Sequence, residues 1–188
     1  MDSGAIINMH GIEPQKAVKL NSHLRSIEIT LHVTPIQIDE TIEISDNGDR
    51  LEFDEYHEQL KSFLARCSKT GLDIHNDPSA ALISASRRPM YAVDKETMEF
   101  FNIFWEKMHR LEKKKQQYDP MNITRDTIIA TSALKYDYLI TTDKNMRNSM
   151  KYSLKKTNID SKVQIKYRPP NKKNSILTWL IGLEKYQD

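Results

Sequence analysis

Apolar residues recur at three- and four-residue steps in several segments of this chain, the spacing that places them on one face of an α-helix. The clearest repeat consists of Met98, Phe101, Phe104, Trp105, Met108 and Leu111. Asp94 precedes this repeat and has the position and chemistry of a helix N-cap. Weaker repeats predict helices over residues 14–24, 51–66, 145–154 and 176–183. We therefore expect helices whose apolar faces form the core.

Other segments have the composition of β-strands. Residues 26–33 and 162–167 alternate polar with apolar side chains, as half-buried strands do. Residues 138–142 are instead largely apolar, aromatic and β-branched, which suits a parallel strand covered on both faces. A helix that starts near Asn122 or Thr124, with Asp126 in its first turn, is predicted just before this strand. Helix and strand together form half of an αβα unit.

Parallel sheets of this kind place their chemistry at the carboxyl ends of the strands, and Asp143 stands at such an end. The segment from Asp126 to Asp143 contains the pattern Asp-x-x-Ile-Ala-x-x-Ala, then Leu-Ile-Thr-x-Asp. This pattern resembles the third and fourth acidic positions of the PIN-domain nucleases, metal-dependent enzymes that hydrolyse RNA or, in some branches, structured DNA. Residues 2–7, which begin with Asp2, look like the first acidic motif, and residues 34–40, which end with Glu40, look like the second.

The resemblance implies an α/β fold, a three-layer α/β/α PIN-like domain with a central, mainly parallel sheet. We expect residues 1–188 to form this one domain. The long separation of Glu40 from Asp126 predicts an enlarged helical region, a helical insertion, over residues 45–120. Since Met1 alone precedes Asp2, the strand that leads to the first acidic residue in the family is expected to be absent, very short or outside this sequence.

The resemblance also implies that Asp2, Glu40, Asp126 and Asp143 form a catalytic cluster that binds Mg²⁺ or Mn²⁺. These ions prefer oxygen ligands and supply the nucleophilic water and charge stabilisation that phosphodiester hydrolysis requires. In this assignment the three aspartates position metal, while Glu40 binds a second ion or orients the attacking water. Asp39 is an alternative to Glu40, because a one-residue shift of the strand would exchange the faces that the two residues occupy.

Two residues near Asp143 are candidates for support of the cluster. The hydroxyl of Thr141 could bond a carboxylate or phosphate, or Thr141 could simply be a β-branched strand residue. Asn145 could contact metal-bound water, or it could cap the following helix. Both alternatives stay open for each residue.

The charge of the chain is unevenly distributed, although the net charge is only +2. Basic residues gather between positions 144 and 173, where Tyr152 and Tyr167 are interspersed among them. This composition suits an RNA-binding surface that includes Lys144, Arg147 and Lys151, although an ordinary solvated face is the alternative.

Composition limits the cellular setting as well. Hydrophobic residues make up 38% and charged residues 29% of the 188 residues, and no segment approaches the ~20 apolar residues of a membrane span. The chain has one cysteine and no apolar secretory segment after Met1. We therefore expect a cytoplasmic protein with no membrane partner.

The resemblance to the PIN-domain nucleases implies a metal-dependent endoribonuclease that hydrolyses RNA phosphodiester bonds. Small proteins of the PIN family are often the toxin of a toxin–antitoxin pair, so the resemblance also implies a cognate antitoxin protein and a homodimer. The alternative is a PIN-like RNA-binding or assembly module without catalytic activity. The expectation that the first strand is absent or very short motivates that alternative.

Overall fold

The computed structural model describes residues 4–5, 14–34, 36, 74–76, 94–114, 118–168, 180 and 182. Helices and strands are mixed within these residues, and the strands pair in parallel. The described residues are therefore compatible with the α/β class predicted from the sequence. The chain falls into two compact units. None of the described helices is long and apolar enough to cross a membrane.

The first unit contains helix α1 (Pro14–Ser26) and the parallel strands β1 (Leu31–Val33) and β2 (Ile74–Asn76). Leu31 is paired with Ile74, and Val33 with Asn76. The inner face of α1 consists of the buried residues Ala17, Leu20 and Leu24. Their spacing of three and four residues is that of a helix with one apolar face.

The strand predicted over residues 26–33 is wrong in its first part. Helix α1 continues to Ser26, and Glu28 then adopts a left-handed conformation with φ of 59°. The N–H of Ile29 donates to the carbonyl oxygen of Leu24 at 2.9 Å, which is the bonding of a helix that ends through a left-handed residue. The polar–apolar alternation is therefore realised as a strand only from Leu31 onward.

Among its described residues, the second unit contains three helices, a 3₁₀ turn and a pair of strands. In chain order these are α2 (Lys95–Glu112), α3 (Pro120–Ser132), a 3₁₀ turn (Ala133–Lys135), β3 (Tyr138–Thr141), α4 (Lys144–Lys156) and β4 (Gln164–Tyr167). Helix α2 packs against both α3 and α4, and α4 packs against the two strands that it connects. The described part of the second unit is therefore a βαβ element preceded by two helices.

Helix α2 begins as predicted. Asp94 is its N-cap and accepts a hydrogen bond from the N–H of Thr97 at 2.7 Å. Its buried face consists of Phe100, Phe104 and Met108, and the rings of Phe100 and Phe104 lie 5.9 Å apart. The predicted stripe included Phe101 and Trp105, which are only half-buried.

The predicted start of α3 is wrong. Asp119 is the N-cap and accepts from the N–H of Met121 at 2.8 Å, so Pro120 occupies the first helical position. Proline suits that position because it lacks an N–H and its φ is already helical. Asp126 therefore lies about two turns into the helix and not at its positive end.

Strands β3 and β4 pair along their whole length, from Tyr138 with Gln164 to Thr141 with Tyr167. In β3 the consecutive residues Leu139, Ile140 and Thr141 are all buried, as expected for a strand covered on both faces. The strands at 138–142 and 162–167 are thus confirmed, each slightly shorter than predicted. Among the described strands there are two pairs, β1–β2 and β3–β4, so a single central sheet stays a prediction.

Candidate functional site

Asp143 lies between the carboxyl end of β3 and the first turn of α4. It is the N-cap of α4, and its Oδ1 accepts hydrogen bonds from the backbone N–H groups of Asn145 and Met146, the second at 3.2 Å. Aspartate is favoured here because its short carboxylate reaches the unpaired N–H groups and its charge complements the positive helix end. The cap therefore fixes the orientation of this carboxylate.

Thr141 holds the other side of the same turn. It is the last residue of β3, it is fully buried, and its Oγ1 accepts a hydrogen bond from the N–H of Asp143 at 3.0 Å. Its carbonyl oxygen accepts from the N–H of Arg168, at 2.9 Å, beside the end of β4. The observed bond of the Thr141 hydroxyl is with the backbone of Asp143, so a bond from Thr141 to a carboxylate or phosphate stays a prediction.

The second carboxylate oxygen of Asp143 receives no hydrogen bond from any residue that the structure describes. The side chain is half-buried. One oxygen is thus held by the helix, while the other has its lone pairs available. A fixed carboxylate oxygen of this kind is a suitable ligand for a hard cation or a suitable acceptor for water.

Asn145 connects this turn to the end of α2. Its Nδ2 donates to Oε1 of Glu112 at 2.6 Å, and both side chains are half-buried. Asn145 is not the cap of α4, since Asp143 holds that position and Asn145 only donates its backbone N–H to it, and contact of Asn145 with metal-bound water stays a prediction. The sequence analysis missed Glu112, because only the packing of α2 against α4 brings it close to Asn145.

Asp126 is half-buried near the middle of α3, and its neighbours Thr127 and Ile128 are buried. Asp2, Asp39 and Glu40 lie outside the described residues. Within the described part of the chain, no three acidic, histidine or cysteine side chains form a group that could hold a metal ion. The four-carboxylate cluster therefore stays a prediction.

The donor chemistry nevertheless suits Mg²⁺ or Mn²⁺. Magnesium keeps several of its water ligands and takes one or two carboxylates directly, so the open oxygen of Asp143 could serve as one direct ligand. Asp126 would have to add a second, either directly or through water. Asp2 and Glu40, the remaining predicted ligands, lie outside the described residues.

The three predicted RNA-binding residues differ in their surroundings. Lys144 and Lys151 are exposed on α4. Arg147 is half-buried, its guanidinium lies 4.6 Å from the ring centre of Tyr167, and it donates two hydrogen bonds to Oδ1 of Asn148. Arg147 is thus engaged with the protein itself, whereas the two lysines point their charge outward.

Comparison of the chain with models of protein families, with curated proteins and with solved structures gives no match. The resemblance to the PIN-domain nucleases therefore depends on the acidic motifs of the sequence alone.

Proposed function

We propose that this protein is a metal-dependent endoribonuclease with a three-layer, PIN-like α/β/α fold that acts in the cytoplasm. The observation that supports this proposal most strongly is the placement of Asp143. A carboxylate at the carboxyl end of a buried parallel strand, held through one oxygen and open at the other, is well suited to binding metal or water in a hydrolase.

We assign each residue of the proposed site one role. Thr141 and the first turn of α4 hold the Asp143 carboxylate in one orientation, so little ordering is needed when substrate binds. Asp126, Asp2 and Glu40 would supply the further oxygen ligands. A bound Mg²⁺ or Mn²⁺ would activate water and stabilise charge on the phosphoryl oxygens. Lys144 lies directly beside Asp143 in the chain and would attract the phosphate backbone of RNA.

The family resemblance further supports a cognate antitoxin protein as a partner, and a homodimer. Both partners can be tested separately from catalysis. Co-purification with the product of a neighbouring gene tests for the antitoxin, and light scattering tests for the homodimer.

The proposal is tested by incubating the protein with a mixture of labelled RNAs, with Mn²⁺ or with EDTA. Cleavage with Mn²⁺ only is expected, and Asp126→Asn should abolish most of it. Asp160→Asn is the matched control, since Asp160 is an exposed aspartate in the segment between α4 and β4 and has no assigned role. Cleavage that survives Asp126→Asn would remove Asp126 from the site, and cleavage in EDTA would contradict the role of metal.

A second candidate function is a PIN-like RNA-binding or assembly module that does not cleave. It is favoured by the position of Asp126 within α3 and by the lack of a metal-binding group among the described residues. Binding of RNA without cleavage under any metal condition would support this second candidate over the first.

A further inference from the structure

The exposed face of α4 carries only positive charge. From Lys144 to Lys156 the helix contains basic residues and no acidic ones. Lys144, Lys151 and Lys155 are exposed and recur at steps of seven and four residues, which places them on one line along the helix. The opposite face is buried and consists of Met146, Ser149, Met150 and Ser153. The charge is therefore concentrated on the solvent side.

An exposed aromatic ring lies beside this line of lysines. Tyr152 is 40% exposed, and among the described residues only Val18 and Met121 are other large hydrophobic side chains that are exposed. The Nζ of Lys107, from α2, lies 4.9 Å from its ring centre, and the Nζ of Lys156 lies 6.0 Å from it. We call Tyr152 with Lys107, Lys151, Lys155 and Lys156 the Tyr152 surface.

We infer that the Tyr152 surface binds an unpaired stretch of nucleic acid. One base can stack on the exposed tyrosine ring by displacing the ammonium groups of Lys107 and Lys156 that lie over it, and these groups can then contact the phosphates on either side of that base. In a duplex the bases are stacked on one another, so a duplex could use the lysines but not the ring. The surface should therefore prefer single strands.

Other partners fit this surface less well. A helix that lies on a membrane needs an apolar face toward the lipid, and the exposed side of α4 has one aromatic residue among lysines. An acidic protein would match the charge, but it would leave the ring face without a stacking partner. A polynucleotide matches both features.

This inference deepens the proposed function, on which it rests for the choice of a polynucleotide as partner. It names an unpaired strand as the substrate class and α4 as the surface that holds it. None of its residues belongs to the proposed acidic cluster. Binding can therefore be measured in metal-free buffer, where no cleavage occurs, and either proposal can fail without the other.

The test is fluorescence anisotropy with a labelled 12-nucleotide oligouridine and with an RNA duplex of the same length. Tyr152→Ala should weaken binding of the single strand by roughly 5- to 150-fold, the effect of losing one base stack, and should leave the duplex almost unaffected. Tyr152→Phe should restore single-strand binding because it keeps the ring. The double variant Lys151→Gln/Lys155→Gln should lose two phosphate contacts. The slope of log affinity against log salt concentration for the single strand should therefore decrease in magnitude by about 1.4.

The matched control is Lys19→Gln, which removes an exposed helical lysine from α1. It should leave affinity and salt dependence unchanged, and circular dichroism should show the same fold for every variant. Equal affinity of Tyr152→Ala and the unaltered protein for the single strand would overturn the inference. It would also be overturned if polyglutamate bound in a manner dependent on Lys151 and Lys155 while the oligouridine did not bind.

Discussion

The buried hydroxyl of Thr141 accepts a hydrogen bond from the backbone N–H of Asp143, with 3.0 Å between oxygen and nitrogen. This bond connects the last residue of β3 to the N-cap of α4 across the intervening Thr142. The strand is anchored in turn by the N–H of Arg168, which donates to the Thr141 carbonyl oxygen. The position of the Asp143 carboxylate is therefore set jointly by the strand pair and by the helix.

Thr141→Val should loosen this turn. Valine has nearly the same shape, but it provides no acceptor for the N–H of Asp143, so we expect a loss of about 1–3 kcal/mol in the free energy of unfolding. Hydrogen exchange at the amide of Asp143 should become faster. Thr141→Ser is the matched control, because it keeps the hydroxyl and should keep the amide protected. Unchanged protection in Thr141→Val would show that the bond is unimportant.

The cap of α4 makes a separate prediction about Asp143. Asp143→Ala removes the acceptor for two backbone N–H groups and should lower the free energy of unfolding by about 1 kcal/mol, as measured by urea denaturation. Asp143→Asn should retain most of the stability, because asparagine caps helices about as well as aspartate. Equal losses in the two variants would contradict the assigned cap.

For Ser149 we predict a substitution that does not lower the free energy of unfolding. It is fully buried in α4, and its hydroxyl has no hydrogen-bond partner among the described residues. Ser149→Ala removes this unpaired group and improves helix propensity, so stability should be unchanged or raised by up to about 1 kcal/mol.

The matched serine for this experiment is Ser161, whose hydroxyl donates to the carbonyl oxygen of Leu134 at 2.7 Å. Ser161→Ala should lower the free energy of unfolding by about 1 kcal/mol. A clear loss of stability in Ser149→Ala would mean that the Ser149 hydroxyl has a partner after all.

Asp94 should make stability depend on pH. Hydrogen bonds from the backbone N–H and the hydroxyl of Thr97 hold the pKa of Asp94 below its ordinary value. The unfolded chain then binds more protons than the folded one between the two pKa values, so stability rises with pH in that range. The contribution is complete above the unfolded pKa and is lost as the pH falls through the folded pKa.

Urea unfolding of the unaltered protein and of Asp94→Asn, measured between about pH 6 and pH 2, checks this prediction. The stability of the unaltered protein relative to Asp94→Asn should fall as the pH is lowered, because asparagine keeps a cap that does not titrate. A difference that stays constant over this range would contradict it.

The sequence predicted the second unit better than the first because its signals are stronger there. The N-cap Asp94, the helical period of α2 and the run of buried residues in β3 are local features, and each is realised, although the buried face of α2 includes Phe100 and not the predicted Phe101. By contrast, the alternation over residues 26–33 could not reveal that Glu28 adopts a left-handed conformation and ends α1. That conformation is rare for a residue other than glycine.

The candidate site was predictable only in part for a similar reason. Asp143 at the end of β3 follows from local pattern and from the chemistry of strand ends. The contact of Asn145 with Glu112 joins residues 33 positions apart, and no local signal encodes the packing of α2 on α4 that creates it. The start of α3 was predicted too late, near Asn122 or Thr124, whereas Asp119 caps the helix and Pro120 begins it.

The most direct test of the proposed nuclease function is the single-turnover rate of cleavage of a labelled single-stranded RNA in saturating Mn²⁺. Asp143→Asn keeps the helix cap but removes the negative charge. Loss of a group that only supports a metal ligand lowers activity by up to ~100-fold, and Asp143 is proposed to bind the metal directly. We therefore predict that the cleavage rate of Asp143→Asn is lower by ~100-fold or more. Asp137→Asn, at an exposed aspartate just before β3, should cleave at the unaltered rate. Equal rates for Asp143→Asn and Asp137→Asn would contradict the account.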